Sequence, residues 1–144
     1  MKIVLLDGYT VTSTDLSWDE IKKEGDFIYF DRTGKDRNEI IKKKKKSDIV
    51  ITNKTPLDKE TLDACPSIKY ITILATGYNV VDIKSAREKG IPVSNIPTYG
   101  TDSVAQYAIA LLLELCHHIG HHDREVKNGR WENSSDWCFW DYPL

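Results

Sequence analysis

Ile71-Thr72-Ile73-Leu74-Ala75-Thr76-Gly77-Tyr78-Asn79-Val80-Val81-Asp82 decides how this chain is read. A β-rich run from Lys69 to Leu74 stops at Ala75-Thr76-Gly77, and a helical pattern begins near Asp82. In an open α/β sheet, ligands collect beyond the carboxyl ends of the strands. A small residue followed by glycine at such an end lets backbone N–H groups approach an anion. The turn therefore reads as a carboxylate- or phosphate-binding loop. Taken alone, a tight strand-to-helix connection with no ligand outweighs that reading, because short motifs recur by chance.

The same grammar repeats on both sides of this stretch. Lys2-Ile3-Val4-Leu5-Leu6 is a short apolar run ended by Asp7-Gly8, as a strand buried on both faces reads. Ser17-Trp18-Asp19-Glu20 has the capping-box spacing, so a helix is expected from about Trp18 to Glu24 with Gly25 ending it. Asp26 to Phe30 is a second strand, and Asp36 to Lys46 a helix with Ile40 and Ile41 facing inward. Its five consecutive lysines, Lys42 to Lys46, read as a solvated last turn where cations suit the helix dipole. Asp48 to Thr52 is a third strand, after which Pro56 is expected to start a short helix through Leu62. Ile68 to Leu74 is the fourth strand. Asp82 caps a helix from Ile83 to Lys89 that Gly90 stops, and Ile91-Pro92-Val93-Ser94 is a fifth, edge strand.

Strands and helices alternate with crossovers long enough for parallel pairing. The expected fold is α/β, a flavodoxin-like doubly wound parallel sheet of about five strands. Four loops then leave one sheet edge: Asp7-Gly8, Asn53-Lys54, Ala75-Thr76-Gly77 and Asn95-Ile96-Pro97. Four on one edge shift the balance toward a binding cleft.

A long helix follows from Asp102 or Ser103 to His118, capped by Thr101, Asp102 or Ser103. Ala108 to Cys116 is apolar nearly all round, which predicts burial against more than one surface, including a second domain or subunit. His117/His121 and His118/His122 have a metal-like i,i+4 offset, but no flanking carboxylate or cysteine completes a first shell, and no metal is assigned. Asp123 to Gly129 continues as a helix, and the aromatic stretch from Trp131 to Tyr142 reads as an arm that packs on this chain or on a partner.

Composition bounds the rest. The chain has 144 residues, 40% hydrophobic and 29% charged, so it is globular. A net charge of -2, with no aromatic interleaving in the lysine run, excludes general nucleic-acid attraction. Cys65, Cys116 and Cys138 are odd in number and far apart, as buried thiols in a reducing compartment are. Neither a secretory signal nor an apolar run of about 18 residues is visible, so a cytoplasmic protein without membrane association is expected.

Leu5-Leu6-Asp7-Gly8-Tyr9, Thr52-Asn53-Lys54-Thr55-Pro56, Leu74 to Asp82, Gly90 to Gln106 and Cys138-Phe139-Trp140-Asp141-Tyr142 together resemble the D-isomer-specific 2-hydroxyacid dehydrogenases. The branch they look most like is glycerate dehydrogenase/hydroxypyruvate reductase. The resemblance implies an oxidoreductase that moves a hydride between NAD or NADP and a 2-oxo acid such as hydroxypyruvate. It further implies that Asn53, Ala75, Thr76 and Gly77 line the substrate site. Gly100 and Val104 would face the nicotinamide, and a homodimer would form through the Asp102–His118 helix and the Trp131–Tyr142 arm. Residues 1–100 would be an incomplete substrate domain, and 101–144 a crossover helix and dimerisation arm. The Gly-rich nucleotide-binding fingerprint and the family's catalytic Arg, Glu and His do not occur in these residues. The expectation is therefore a truncated chain with no catalytic residue of its own, inactive alone and binding no cofactor stably. Alternatives from other classes are a homodimerising interaction module and a small-acid-binding domain.

Overall fold

A computed structural model describes residues 1–12 and 16–142. It divides into two compact units, Met1–Tyr99 and Gly100–Leu144. Pro143 and Leu144, which close the aromatic tail in sequence, lie outside the described residues.

In the first unit five parallel strands form one sheet: β1 (Lys2–Leu5), β2 (Asp26–Tyr29), β3 (Ile49–Thr52), β4 (Tyr70–Ile73) and β5 (Val93–Ser94). Their order is β2-β1-β3-β4-β5, the flavodoxin-like doubly wound arrangement. The helices between them are α1 (Asp19–Lys23), α2 (Arg37–Lys44), α3 (Lys59–Asp63) and α4 (Ile83–Glu88). Side chains alternate across the sheet. Val4, Leu6 and Val50 join Ile40, Leu62 and Ala86 of the helices in the larger core. Ile3, Leu5 and Ile51 face the other way and are covered by Trp18, Ile21 and Phe27. Both faces are therefore dry, and this is why β1 and β3 read as unbroken apolar runs. β5 lies at the edge, where Pro92 needs no ladder donor, and its carbonyl accepts from Ile71 N–H at 3.1 Å.

Helix boundaries follow the caps. Asp36 and Asp82 accept from the backbone N–H of Glu39 and Ser85 as N-caps. Gly90 has φ +68, its N–H bonding Arg87 and that of Ile91 bonding Ala86, the two bonds of a Schellman motif. Other boundaries differ from expectation. Ser17 does not cap α1: its hydroxyl accepts from Asp19 N–H only two residues on, and Trp18 holds the cap position. Gly25 is needed for space rather than for a left-handed turn, since a Cβ there would lie 2.3 Å from the Met1 carbonyl oxygen. Pro56 does not open α3. Asp58 does, accepting from Thr61 N–H at 2.9 Å, while Leu57 makes a parallel bridge with Val81. A carboxylate that satisfies an orphan N–H outcompetes a proline that merely tolerates its absence.

The lysine run is not uniformly solvated. Lys44 is fully buried, and its Nζ donates to the Thr61 carbonyl at 2.9 Å. That oxygen belongs to the last turn of α3, where a cation offsets the exposed carbonyl dipoles. Lys43 is also engaged, bonding Glu39 and the Arg32 carbonyl.

The second unit holds α5 (Thr101–His117) and α6 (Ile119–Lys127). Gly100 is the N-cap of α5, not Thr101, Asp102 or Ser103, and no side chain caps it. Nothing among the described residues buries α5: every residue from Thr101 to His117 is exposed, with Leu115 at 74%. His118 is left-handed (φ 49) and ends α5. The break separates the i,i+4 histidine pairs that a continuous helix would align. The arm folds back on α6 instead. Tyr142 packs on His118 and His121, Phe139 on His122, and Arg130 grips the Asp141 carboxylate with two N–H groups at 2.5 and 2.7 Å. Arg130, then His121, hold the Asp141 carboxyl well below the usual range. Trp137 and Trp140 stay exposed. Cys116 and Cys138 are exposed too, and of the three cysteines only Cys65 is buried.

Candidate functional site at the carboxyl edge of the sheet

All five strands are parallel, so the four loops that follow β1, β3, β4 and β5 leave the same edge. Asp7 organises this edge. It is 3% exposed, and its carboxylate accepts from the N–H groups of Asn53, Lys54 and Thr55 at 2.9, 2.6 and 2.6 Å. The Thr55 hydroxyl adds a bond at 2.9 Å. One buried charge thus fixes the backbone of the loop after β3. Gly8 beside it has a steric role, because a Cβ there would meet the Tyr29 ring at 2.2 Å.

Asn53 emerges from this clamp. Its Nδ2 donates to the Thr10 hydroxyl at 2.9 Å and the Thr10 carbonyl at 3.2 Å. Asn53 lines a cleft of about 430 Å³ together with Thr10, Val11, Leu16, Trp18, Leu74, Ile96 and Tyr99. Most of that wall is apolar, and Asn53 brings the amide.

Ala75, Thr76 and Gly77 continue from Leu74 at the cleft wall. The loop is tied to the one after β5. Ile96 N–H donates to the Ala75 carbonyl at 3.1 Å, the Thr76 hydroxyl to the Ile96 carbonyl at 3.2 Å, and Asn95 Nδ2 to the Thr76 carbonyl at 2.8 Å. These bonds occupy carbonyls and a hydroxyl. Among the described residues no oxygen accepts from the backbone N–H of Thr76 or Gly77, and both residues are exposed. Gly77 is not conformationally required: a Cβ would meet only Asn79 Oδ1 at 3.4 Å. Its effect is to leave the backbone uncovered. The structure therefore gathers Asn53 and the Ala75–Gly77 loop on one edge.

Gly100 and Val104 lie in the second unit, one helical turn apart at the start of α5, with Val104 N–H bonded to the Gly100 carbonyl at 2.9 Å. A Cβ on Gly100 would find only Val104 Cγ2, at 4.0 Å, so the backbone there is open. Among the described residues no three His, Cys, Asp or Glu side chains converge as a metal site. None of the described helices is long and apolar enough to cross a membrane.

The sequence pointed to Asn53 and the Ala75–Gly77 loop, but only placed Asp7 on the edge. Its role was missed because its partners lie 46 to 48 residues away. The only signal available was a carboxylate directly after a buried strand.

Comparison with known proteins agrees with this architecture. The family described as D-isomer specific 2-hydroxyacid dehydrogenase, catalytic domain, matches residues 4–136. A hydroxypyruvate reductase from Blautia hydrogenotrophica is 57% identical over 145 residues, covering 100% of this chain and 45% of that protein. A glycerate dehydrogenase from Methylorubrum extorquens is 34% identical over 106 residues, 74% of this chain and 34% of its own length. A solved acyclic imino acid reductase in complex with NADPH and D-Arg is 31% identical, with a TM-score of 0.77 over 90% of this chain and 41% of that one. The chain thus spans less than half the length of these relatives. With a doubly wound sheet, four loops on its carboxyl edge and a family match over nearly all of its residues, the chain belongs to the D-isomer-specific 2-hydroxyacid dehydrogenases.

Proposed function

We propose that this chain is the substrate-holding portion of an NAD- or NADP-linked dehydrogenase that interconverts a small 2-oxo acid and its 2-hydroxy acid. The acid's carboxylate sits on backbone N–H groups of the Ala75-Thr76-Gly77 loop, and Asn53 borders the same cleft. The observation that carries this is the pair of uncommitted, exposed N–H groups at Thr76 and Gly77 beside that cleft. Two amides at one turn suit a carboxylate, whose oxygens only accept.

Gly100 and Val104 are placed by this reading against the nicotinamide end of the cofactor, and their open backbone is compatible with a flat ring. The pyrophosphate finds no cradle in the glycine turn after β1, because the Tyr29 ring fills the space over Gly8. That turn therefore offers the pyrophosphate no room, and the hydride step is assigned to no described residue. Reduction of a 2-oxo acid also needs a proton donor at the carbonyl oxygen. With neither in place, the isolated chain binds the acid and does not turn it over.

Amide-resolved NMR titration with hydroxypyruvate and glyoxylate tests the binding half of this reading. Thr76 and Gly77 should shift in saturable fashion; shifts confined to other loops would overturn it. A spectrophotometric assay with NADH and NADPH tests the other half, and turnover that follows the purified chain would refute inactivity.

A second feature favours self-association as a non-catalytic role. Ile109, Leu112 and Leu115 are 57%, 54% and 74% exposed on α5, far more apolar surface than a helix leaves to water. A homodimer through the Asp102–His118 helix and the Trp131–Tyr142 arm would bury it. Sedimentation showing a clean monomer at high concentration would count against this.

A further inference from the structure

We propose that β5 and α4 form a docking groove for an extended peptide segment that carries an acidic side chain between apolar ones. The groove shares no lining residue with the cleft beside Asn53, and its occupant is independent of the acid-binding reading above.

The starting observation is an open sheet edge. β5 has a neighbour on one side only, β4. Val93 pairs with Ile71, and the Ile71 N–H bonds the carbonyl of Pro92 at 3.1 Å. Successive backbone groups of a strand point to opposite sides, and Pro92 points its carbonyl at β4. Val93 therefore turns its N–H and C=O outward, away from the sheet. By the same alternation the Asn95 N–H faces outward, and among the described residues no oxygen accepts from it. The Ile91 N–H is already committed to the Ala86 carbonyl at 2.9 Å. Two donors and one acceptor thus stand in the spacing of a ladder whose partner strand is missing.

A cavity of about 560 Å³ runs beside this edge, with apolar walls from Tyr78, Ile83, Ile91 and Val93. From Ile91 to Asn95 its lining follows the chain for about 13 Å at strand rise, the length of a four- or five-residue segment rather than of a small acid. Ile83 and Arg87 are four residues apart on α4, so both look onto the cavity. Among the described residues no carboxylate pairs with the Arg87 guanidinium, and the described lining holds no Asp or Glu.

Charge and edge geometry decide among the occupants. Pairing with a second β5 would be an isologous contact, in which each patch meets its own copy. It would bring another unpaired Arg87 to a groove that already has one. A free small acid satisfies the guanidinium but leaves the ladder groups unmet. An extended segment adds a strand, as peptides do at open sheet edges. Its alternate side chains then fall toward the cavity, apolar ones on Tyr78 and Ile83 and a carboxylate on the planar fork of Arg87.

The test is amide-resolved NMR titration of the full 144-residue chain with two end-capped peptides, Val-Thr-Glu-Thr-Val and Val-Thr-Gln-Thr-Val. Val93 and Asn95 should shift in saturable fashion, with the glutamate peptide bound about fivefold tighter, the worth of one good exposed ion pair. Arg87→Gln, a change at an exposed side chain, should bring that ratio close to one. Of two N-methylated versions, one blocked at both threonines and the other at the glutamate and valines, one should lose binding at least tenfold and the other keep it. Equal effects of the two methylations would overturn strand addition. Capped glutamate alone binding as tightly as the peptide would overturn the peptide as occupant. Shifts at Val93 and Asn95 that grow with protein concentration, without peptide, would assign the groove to a second copy and overturn the proposal. Peptide shifts confined to Thr76 and Gly77 would also overturn it, and would leave the carboxylate site standing.

Discussion

Lys44 makes folding stability depend on pH in a direction that few lysines do. Burial pushes its ammonium down to about 8 from an ordinary value of 10.5. The unfolded chain therefore binds a proton that the folded chain has already lost across that window. Stability must rise with pH where the unfolded state holds more protons. The cost of the buried charge is complete below about pH 8 and disappears above about pH 10.5. A shift of this size corresponds to about 3 kcal/mol, of which roughly 2.5 kcal/mol is recovered between about pH 7 and pH 10. Tyr29 opposes this at the alkaline end, since burial and then Asp31 raise its pKa in the folded state. Comparison with Lys44→Met removes that background. Methionine keeps an unbranched stem but leaves the Thr61 carbonyl unpaired, a cost of about 1–3 kcal/mol. At neutral pH that cost roughly cancels the relief of the buried charge. Urea denaturation of both proteins under reducing conditions, repeated across the window, reads the difference. The native sequence should gain on the variant steadily as pH rises. A difference that stays flat, or falls, would refute the assignment of Lys44 as a buried cation.

The other consequences are more local. Asp7→Ala leaves three backbone N–H groups of the loop after β3 without their acceptor; it should cost about 3 kcal/mol or more, seen as a lower urea midpoint and faster amide exchange at Lys54 and Thr55. Gly25→Ala, whose Cβ would lie 2.3 Å from the Met1 carbonyl, should destabilise more than Gly90→Ala, where only the positive φ is strained, at about 1 kcal/mol; matched denaturation curves decide the order. Asp141 should stay ionised at acid pH where ordinary aspartates are half protonated, and Arg130→Gln should move its carbon-detected NMR titration back up, because Arg130 is the first cause of its lowered pKa. The linked stability is present above the unfolded carboxyl's pKa and fades as pH falls through the folded one.

β1 and β3 were legible because burial on both faces leaves a dense apolar signature over four or five residues. Asp36, Asp82 and Gly90 were legible because caps act within a turn of the chain. Errors came where two local signals competed or a distant partner decided. Pro56 suggested a helix start that Asp58 took. Ser17 had the capping-box spacing, but its hydroxyl bonds Asp19 N–H. Lys44 looked like its four neighbours in sequence, and only the Thr61 carbonyl from the next helix draws it inside. The histidine pattern assumed one helix, and the left-handed His118 divides it. At the site, the loop residues could be picked from their position after strands, while the Asp7 clamp needed the tertiary fold.

That clamp explains why an amide with an unmet acceptor is tolerated at all. Asp7 holds Asn53 by its backbone N–H, and Thr10 holds Nδ2. The side chain is therefore not free to turn its oxygen toward a partner of its own. Loops presented by rigid elements keep polar groups in geometries they would otherwise relax away from. By contrast, the Thr76 and Gly77 amides lie in solvent and incur no such cost while empty. Among the described residues the edge thus has two kinds of uncommitted hydrogen-bonding group: exposed donors at Thr76 and Gly77, and a buried acceptor at Asn53.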